Sequence, residues 1–155
     1  MVDLIKSPNY TLNVRLCWDG KGPSGGNVRD DEGNASDKES SVALPLCEGP
    51  NWVDEETIKW AIEHGDFHED DKDKLAEIII GHELGHAIFD FDDPGVVEAV
   101  ENVLRDEMGK KPRRVYTGFD GISPEDSEKE TANRIIDKYK DQFPGLNKVQ
   151  RNLKK

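Results

Sequence analysis

The run from Asp71 to Asp90 is the strongest helical pattern in the chain, and it constrains everything around it. Leu75, Ile78, Ile79, His82 and His86 recur at i, i+3 and i+4 and so share one side of a helix. Residues 82–86 read His-Glu-Leu-Gly-His, an H-E-x-x-H pattern. On a helix, i and i+4 lie about 40° apart around the axis and one turn apart along it. The two imidazoles therefore project side by side, spaced to grip one zinc ion. Glu83 is rotated to one side, where its carboxylate can reach a water on that metal and take its proton. Gly85 leaves room beneath the histidines for another element to approach. The competing reading makes both histidines ordinary polar residues of an amphipathic helix. Ile78-Ile79-Ile80 before the motif and Ala87-Ile88-Phe89 after it argue against that, because unpaired imidazoles on an apolar helix lose solvation.

A zinc site needs a third protein ligand. Asp92 stands six residues after His86, but Phe89 occupies the place where a glycine would permit a tight turn. If the chain instead turns at Asp92-Asp93 and returns as an antiparallel helix, helical rise brings residues about 98–102 level with the histidines. Glu101 lies within the stripe Val97, Val100, Glu101, Leu104, Met108, and Glu98 lies on its flank. A carboxylate buried in such a stripe has to be neutralised. Glu101 is the favoured ligand, with Asp92 and Glu98 as alternatives. Downstream, Arg113 and Tyr116 are three residues apart and are candidate donors to an oxyanion. A basic surface patch with one packed tyrosine is the competing reading. His64 and His68 fall in a polar stretch and read as solvated.

Composition narrows the function classes. Twenty-one Lys and Arg against 33 Asp and Glu give a net charge of −12 over 155 residues, which argues against a nucleic-acid binder and against docking on an anionic membrane. No apolar run approaches the roughly 18 residues a membrane span requires. The N-terminus lacks the apolar segment of a signal peptide. Cys17 and Cys47 are too few for a disulfide scaffold and read as two buried thiols, a single disulfide being the minor alternative.

The remaining chain reads as one domain over residues 1–155. Residues 9–18 alternate, with Tyr10, Leu12, Val14 and Leu16 on the core face of a strand. Residues 19–40 are rich in Gly, Ser, Asn and Asp and read as a long mobile loop. Residues 41–46 form a second short strand that Pro45 places at an edge or ends early. A short helix spans 55–64, with Trp52 contributing to its apolar side, and an acidic loop follows over 65–74. Asp93 is the expected N-cap of the returning helix, with Pro94 at its first position, and Gly109 stops it. Ser123 and Pro124 are expected to open a last helix that Pro144-Gly145 ends near Phe143. The basic tail, 147–155, is expected to fray.

Gly81-His82-Glu83-Leu84-Gly85-His86-Ala87, followed by Glu101-Asn102-x-x-Arg105, Gly109, Arg113 and Tyr116, resembles the NleD-like effector zinc metallopeptidases and the related domains of bacterial polymorphic toxins. The resemblance covers residues 75–116. It implies an α+β zincin-like fold: an H-E-x-x-H helix, a short antiparallel strand pair and a returning ligand helix. It implies one catalytic Zn²⁺ on His82, His86 and Glu101, with Glu83 as the base, and endoproteolysis of a protein substrate. It further implies a secreted effector that acts in the cytoplasm of a target cell without a cleavable signal, and an immunity or inhibitor protein as a candidate partner. A cytoplasmic location is the alternative. Phage antirepressor proteases also carry His-Glu-Leu-Gly-His-Ala, followed by a Glu-x-x-Ala-Asn-like helix, although Glu101 stands where that alanine would be. A degenerate zincin used as a zinc-containing protein-binding module is a further alternative, and the intact Glu83 weighs against it.

Overall fold

The structure is a computed structural model that describes residues 7–17, 23–45, 55–114 and 124–154. It is an α+β arrangement with a three-stranded sheet in the order β1-β3-β2. The central strand β3 (Ala35–Pro45) pairs parallel with β1 (Thr11–Cys17), from Thr11↔Glu39 to Cys17↔Pro45. It pairs antiparallel with β2 (Ser24–Arg29), from Ser24↔Ala43 to Arg29↔Ala35. Two expectations are thereby corrected. The sheet is mixed rather than an antiparallel pair, and residues 24–29 and 35–40 are strand rather than loop. Pro45 is the last residue of a central strand, so the ladder loses no interior donor.

The segment Ser-Gly-Gly-Asn-Val-Arg of β2 has little β propensity of its own. What holds it extended is the helix behind it. A Cβ on Gly25 would stand 1.8 Å from the carbonyl oxygen of Glu83, so the two backbones touch. Asn27 Nδ2 donates to the carbonyl of Ala87 at 2.9 Å, and Arg29 pairs with Asp90 at 2.7 Å. The hairpin turns at Asp30, whose Oδ1 accepts the amides of Glu32 and Asn34, and Gly33 takes φ +83°. The core face expected of β1 holds only in its first half. Tyr10 is buried and Leu12 packs on the core, but Val14 and Leu16 are 54% and 58% exposed.

Helix α1 (Glu55–Glu63) and a 3₁₀ helix (Glu69–Lys74) precede α2 (Leu75–Phe89), which carries the histidines. The 3₁₀ turn replaces the expected acidic loop, and it buries Asp71; Asp66, just before it, is also buried. Helix α2 is apolar on several sides and is packed accordingly, against β2, the returning helix and α4 (Asp126–Tyr139).

The returning helix α3 is continuous but irregular. It runs as an α-turn at Asp93–Val96, a π-helical stretch at Val97–Glu101 and an α-helical Asn102–Glu107. It lies close against α2 because glycines leave the space. A Cβ on Gly85 would meet Val96 Cγ1 at 2.9 Å, and one on Gly81 would meet Leu104 Cδ2 at 2.3 Å. Gly109, at φ +69°, stands just beyond the helix end, as expected.

Three boundaries differ from expectation. Asp92, not Asp93, is the N-cap of α3. Helix α4 starts from Glu125, whose carboxylate forms a capping box with Glu128, and it ends at Tyr139; Ser123 lies outside the described residues. The C-terminal segment forms α5 (Leu146–Asn152) and buries Leu146, Val149 and Leu153, so residues 146–153 dock where fraying was expected. Among the described residues no helix is long and apolar enough to cross a membrane.

Candidate metal centre

Three side chains converge at the C-terminal half of α2. His82 Nε2 and His86 Nε2 are 3.2 Å apart, and Asp93 Oδ1 is 3.2 Å from each. The residue that brings Asp93 back is Asp90. It takes the left-handed conformation at φ 58°, and its amide donates to the carbonyl of His86. The turn that seemed to need a glycine at position 89 is therefore made one residue later by an aspartate, a residue type that tolerates this region. Helix α3 begins at once, and its first residue presents its carboxylate to both imidazoles.

The opposite nitrogens are already engaged. His82 Nδ1 lies 2.9 Å from Glu101 Oε2, and His86 Nδ1 lies 2.6 Å from the carbonyl oxygen of Phe91. Both partners accept, which assigns the proton of each neutral ring to Nδ1 and leaves the Nε2 lone pairs facing Asp93. Three acceptors in van der Waals contact repel unless a cation or proton stands among them. Two ligands at about 2.0–2.1 Å on a tetrahedral ion are themselves about 3.3–3.4 Å apart, so the observed spacing suits zinc. Among the described residues, Asp93, Glu101, Asp66 and Asp71 are linked through the imidazole of His82 and the guanidiniums of Arg105 and Arg113.

Glu101 is thus not among the converging atoms. It stands level with His82, as helical rise required, but meets its far nitrogen. Arg105 Nε donates to its Oε1 at 2.7 Å, and Arg113 Nη1 approaches Oε2 at 3.3 Å. Burial favours protonation of Glu101, but His82, Arg113 and Arg105 outweigh it and hold the carboxyl down at about 2. Burial likewise opposes charge on His82, and the hydrogen bond and charge of Glu101 reverse it, so the net shift is upward. Asp92 and Glu98 do not join the cluster either. Asp92 is exposed, and its amide donates to Glu128, while the backbone carbonyl of Glu98 accepts from Asn152.

Glu83 is half-buried beside the cluster. Burial raises its pKa, and the neighbouring His82, His86 and the Gly25 amide offset this only in part. Of the three converging side chains Asp93 is the most exposed, at 39% against 20% for His86 and 11% for His82.

Arg113 was a candidate donor to an oxyanion, with a basic surface patch as the competing reading. Its guanidinium instead pairs with Asp66 at 3.0 Å and with Glu101, behind His82, over the ring of Phe67. Asn102 clamps its backbone, accepting from the Arg113 amide at 2.7 Å and donating to its carbonyl at 3.1 Å. Tyr116, Cys47, Trp52 and the side chain of Cys17 lie outside the described residues. His64 stacks on Trp60, and His68 Nε2 lies 3.2 Å from the carbonyl oxygen of Pro112; neither joins the cluster.

Asp93, Asp71 and Asp66 carry no sequence signal that marked them as site residues beforehand. The i, i+4 spacing of Glu101 and Arg105 was a usable signal for a buried ion pair, but nothing local marks Asp66 or Asp71 as buried. No family model, curated protein or solved structure matches the chain.

Proposed function

We propose that the protein is a zinc-dependent endopeptidase. The observation that carries the reading is the convergence of His82 Nε2, His86 Nε2 and Asp93 Oδ1 beside a half-buried Glu83 of raised pKa. Those three side chains would hold the ion, and zinc there supplies a Lewis acid that works at neutral pH. Glu83 takes the proton from a water that attacks a peptide carbonyl and passes it to the departing amine. The Gly25 amide fixes the Glu83 carboxylate, Glu101 orients the His82 ring, and the Phe91 carbonyl orients that of His86. The Glu101-Asn102-x-x-Arg105 resemblance supports a target that is a protein inside another cell. The excess of acidic side chains favours basic partners or cleavage sites.

The test has two parts. Purified wild type should hold one zinc per chain, lost in His82→Ala/His86→Ala. New protein termini in cells that make wild type should be missing in cells that make Glu83→Gln, a variant that keeps its zinc. The amide keeps the shape of Glu83 but accepts no proton, so turnover should fall about 10²–10⁴-fold. Equal cleavage by both forms would remove Glu83 from the mechanism.

A further inference from the structure

The most expensive feature of the interior lies behind the cluster rather than in it. Arg105 is 0% exposed, and Glu101 and Asp71 are 1% exposed. Burying three charged side chains costs desolvation that apolar residues of the same volume would avoid, so such a network is weak evidence for stability. Its geometry is directional. Arg105 uses Nε on Glu101 Oε1 and Nη1 on Asp71 Oδ2, both at 2.7 Å. One planar guanidinium thereby ties α3 to the 3₁₀ helix before α2. Asp71 Oδ2 is in turn held by the His68 amide at 2.8 Å. With Oε1 fixed by Arg105, Glu101 presents Oε2 to His82 Nδ1 and to Arg113. Asp71 Oδ1 and Arg105 Nη2 are buried without a hydrogen-bond partner among the described residues, and Arg105 Nη1 also donates to the Lys111 carbonyl at 3.4 Å.

We infer that Asp71 and Arg105 are positioning residues that act through Glu101 to hold His82 with Nε2 toward the metal, so that the 3₁₀ helix at Glu69–Lys74 sets the metal affinity of a site it does not touch. This rests on the zinc reading above. The physical cause is orientation. A carboxylate clamped on one oxygen keeps the other aimed at Nδ1–H and keeps the ring in the tautomer that binds through Nε2. Without the clamp, Glu101 rotates and His82 samples the other tautomer and other ring angles.

The test titrates the full chain with Zn²⁺ against a chromophoric chelator. Outer groups that orient a ligand typically change metal affinity about 10–100-fold. Glu101→Gln is expected to weaken binding within that range, and Asp71→Asn by about 10-fold. The double variant should bind no more than about twofold weaker than Glu101→Gln, because Asp71 acts only through Glu101. Arg105→Lys keeps the charge but loses the fork and should also weaken binding. Nitrogen-15 shifts of His82 in the metal-free protein should show the Nδ1–H tautomer in wild type and a mixture in Asp71→Asn. Ile136→Ala, in α4, removes buried contacts away from the network and should leave affinity per folded molecule unchanged. Wild-type affinity in Asp71→Asn, losses that multiply in the double variant, or an equal loss in Ile136→Ala would each overturn the inference while leaving the zinc site standing. A wild type that takes up no Zn²⁺ overturns both.

Discussion

Asp93, rather than Glu101, meets the two Nε2 atoms because a short side chain at the start of a helix reaches the open face of two imidazoles. Glu101, eight residues further along α3, arrives on the closed face. The difference is the nitrogen each carboxylate meets: Nε2 for Asp93 and Nδ1 for Glu101. Asp93→Ala should therefore cost more zinc affinity than Asp92→Ala or Glu98→Ala, which should both stay close to wild type. Competition with a chelator measures this directly. Unchanged zinc binding in Asp93→Ala would return the third position to another residue. Glu101→Gln should give an intermediate loss, since the Glu101 carboxylate faces Nδ1 of His82 and not the two converging Nε2 atoms.

Between elements, backbone contact decides the packing. β2 runs along α2, with Gly25 against Glu83, Asn27 against Ala87 and Arg29 against Asp90. Gly25 has no left-handed φ, so its requirement is space and not conformation. A Cβ there meets the Glu83 carbonyl, which cannot move without shifting the helix that holds the site. Gly25→Ala should destabilise the fold by about 1–3 kcal/mol or more and weaken zinc binding as α2 moves. Gly26, the next residue, faces open space, and a Cβ added there would have no neighbour within 4 Å. Gly26→Ala should stay within about 0.5 kcal/mol of wild type. Urea unfolding midpoints of the two variants test the contrast, and equal midpoints would refute the close approach.

Across the whole molecule, the sheet is joined to the C-terminal helices through two tyrosines. Tyr10 donates to Ser40 Oγ at 2.9 Å and meets Tyr139 edge-on at 6.1 Å, while the Tyr139 hydroxyl donates to the Asp37 carbonyl at 2.7 Å. Burial pushes the Tyr10 phenol up to about 12, against a partial offset from Ser40. The folded state therefore holds this proton more tightly than the unfolded chain does. The contribution is fully present below pH 10 and is lost as pH rises through about 12. Two pKa units correspond to about 2–3 kcal/mol. Thermal melts of wild type should fall steeply over that alkaline interval, and those of Tyr10→Phe less so. Parallel curves for the two proteins would show that Tyr10 does not report the docking.

Where information is local, the residues of this chain specify the outcome unaided. The 3.6-residue period places His82 and His86 together on α2, Gly85 predicts the close approach of the next helix, and Gly109 marks its end. Rise per residue puts Glu101 level with His82. Other features depend on partners distant in sequence. β2 is a strand because α2 lies behind it, α5 is docked because α3 and α4 offer it a core, and Asp71 is buried because Arg105 reaches it from 34 residues away. Which carboxylate faces the two Nε2 atoms depends on a single left-handed residue, Asp90, whose amide caps the helix on the His86 carbonyl and whose side chain pairs with Arg29 of β2. Periodicity records which residues share a face; it does not record which nitrogen of a ring that face will meet. That choice is made only when the turn, the strand and the returning helix close on one another.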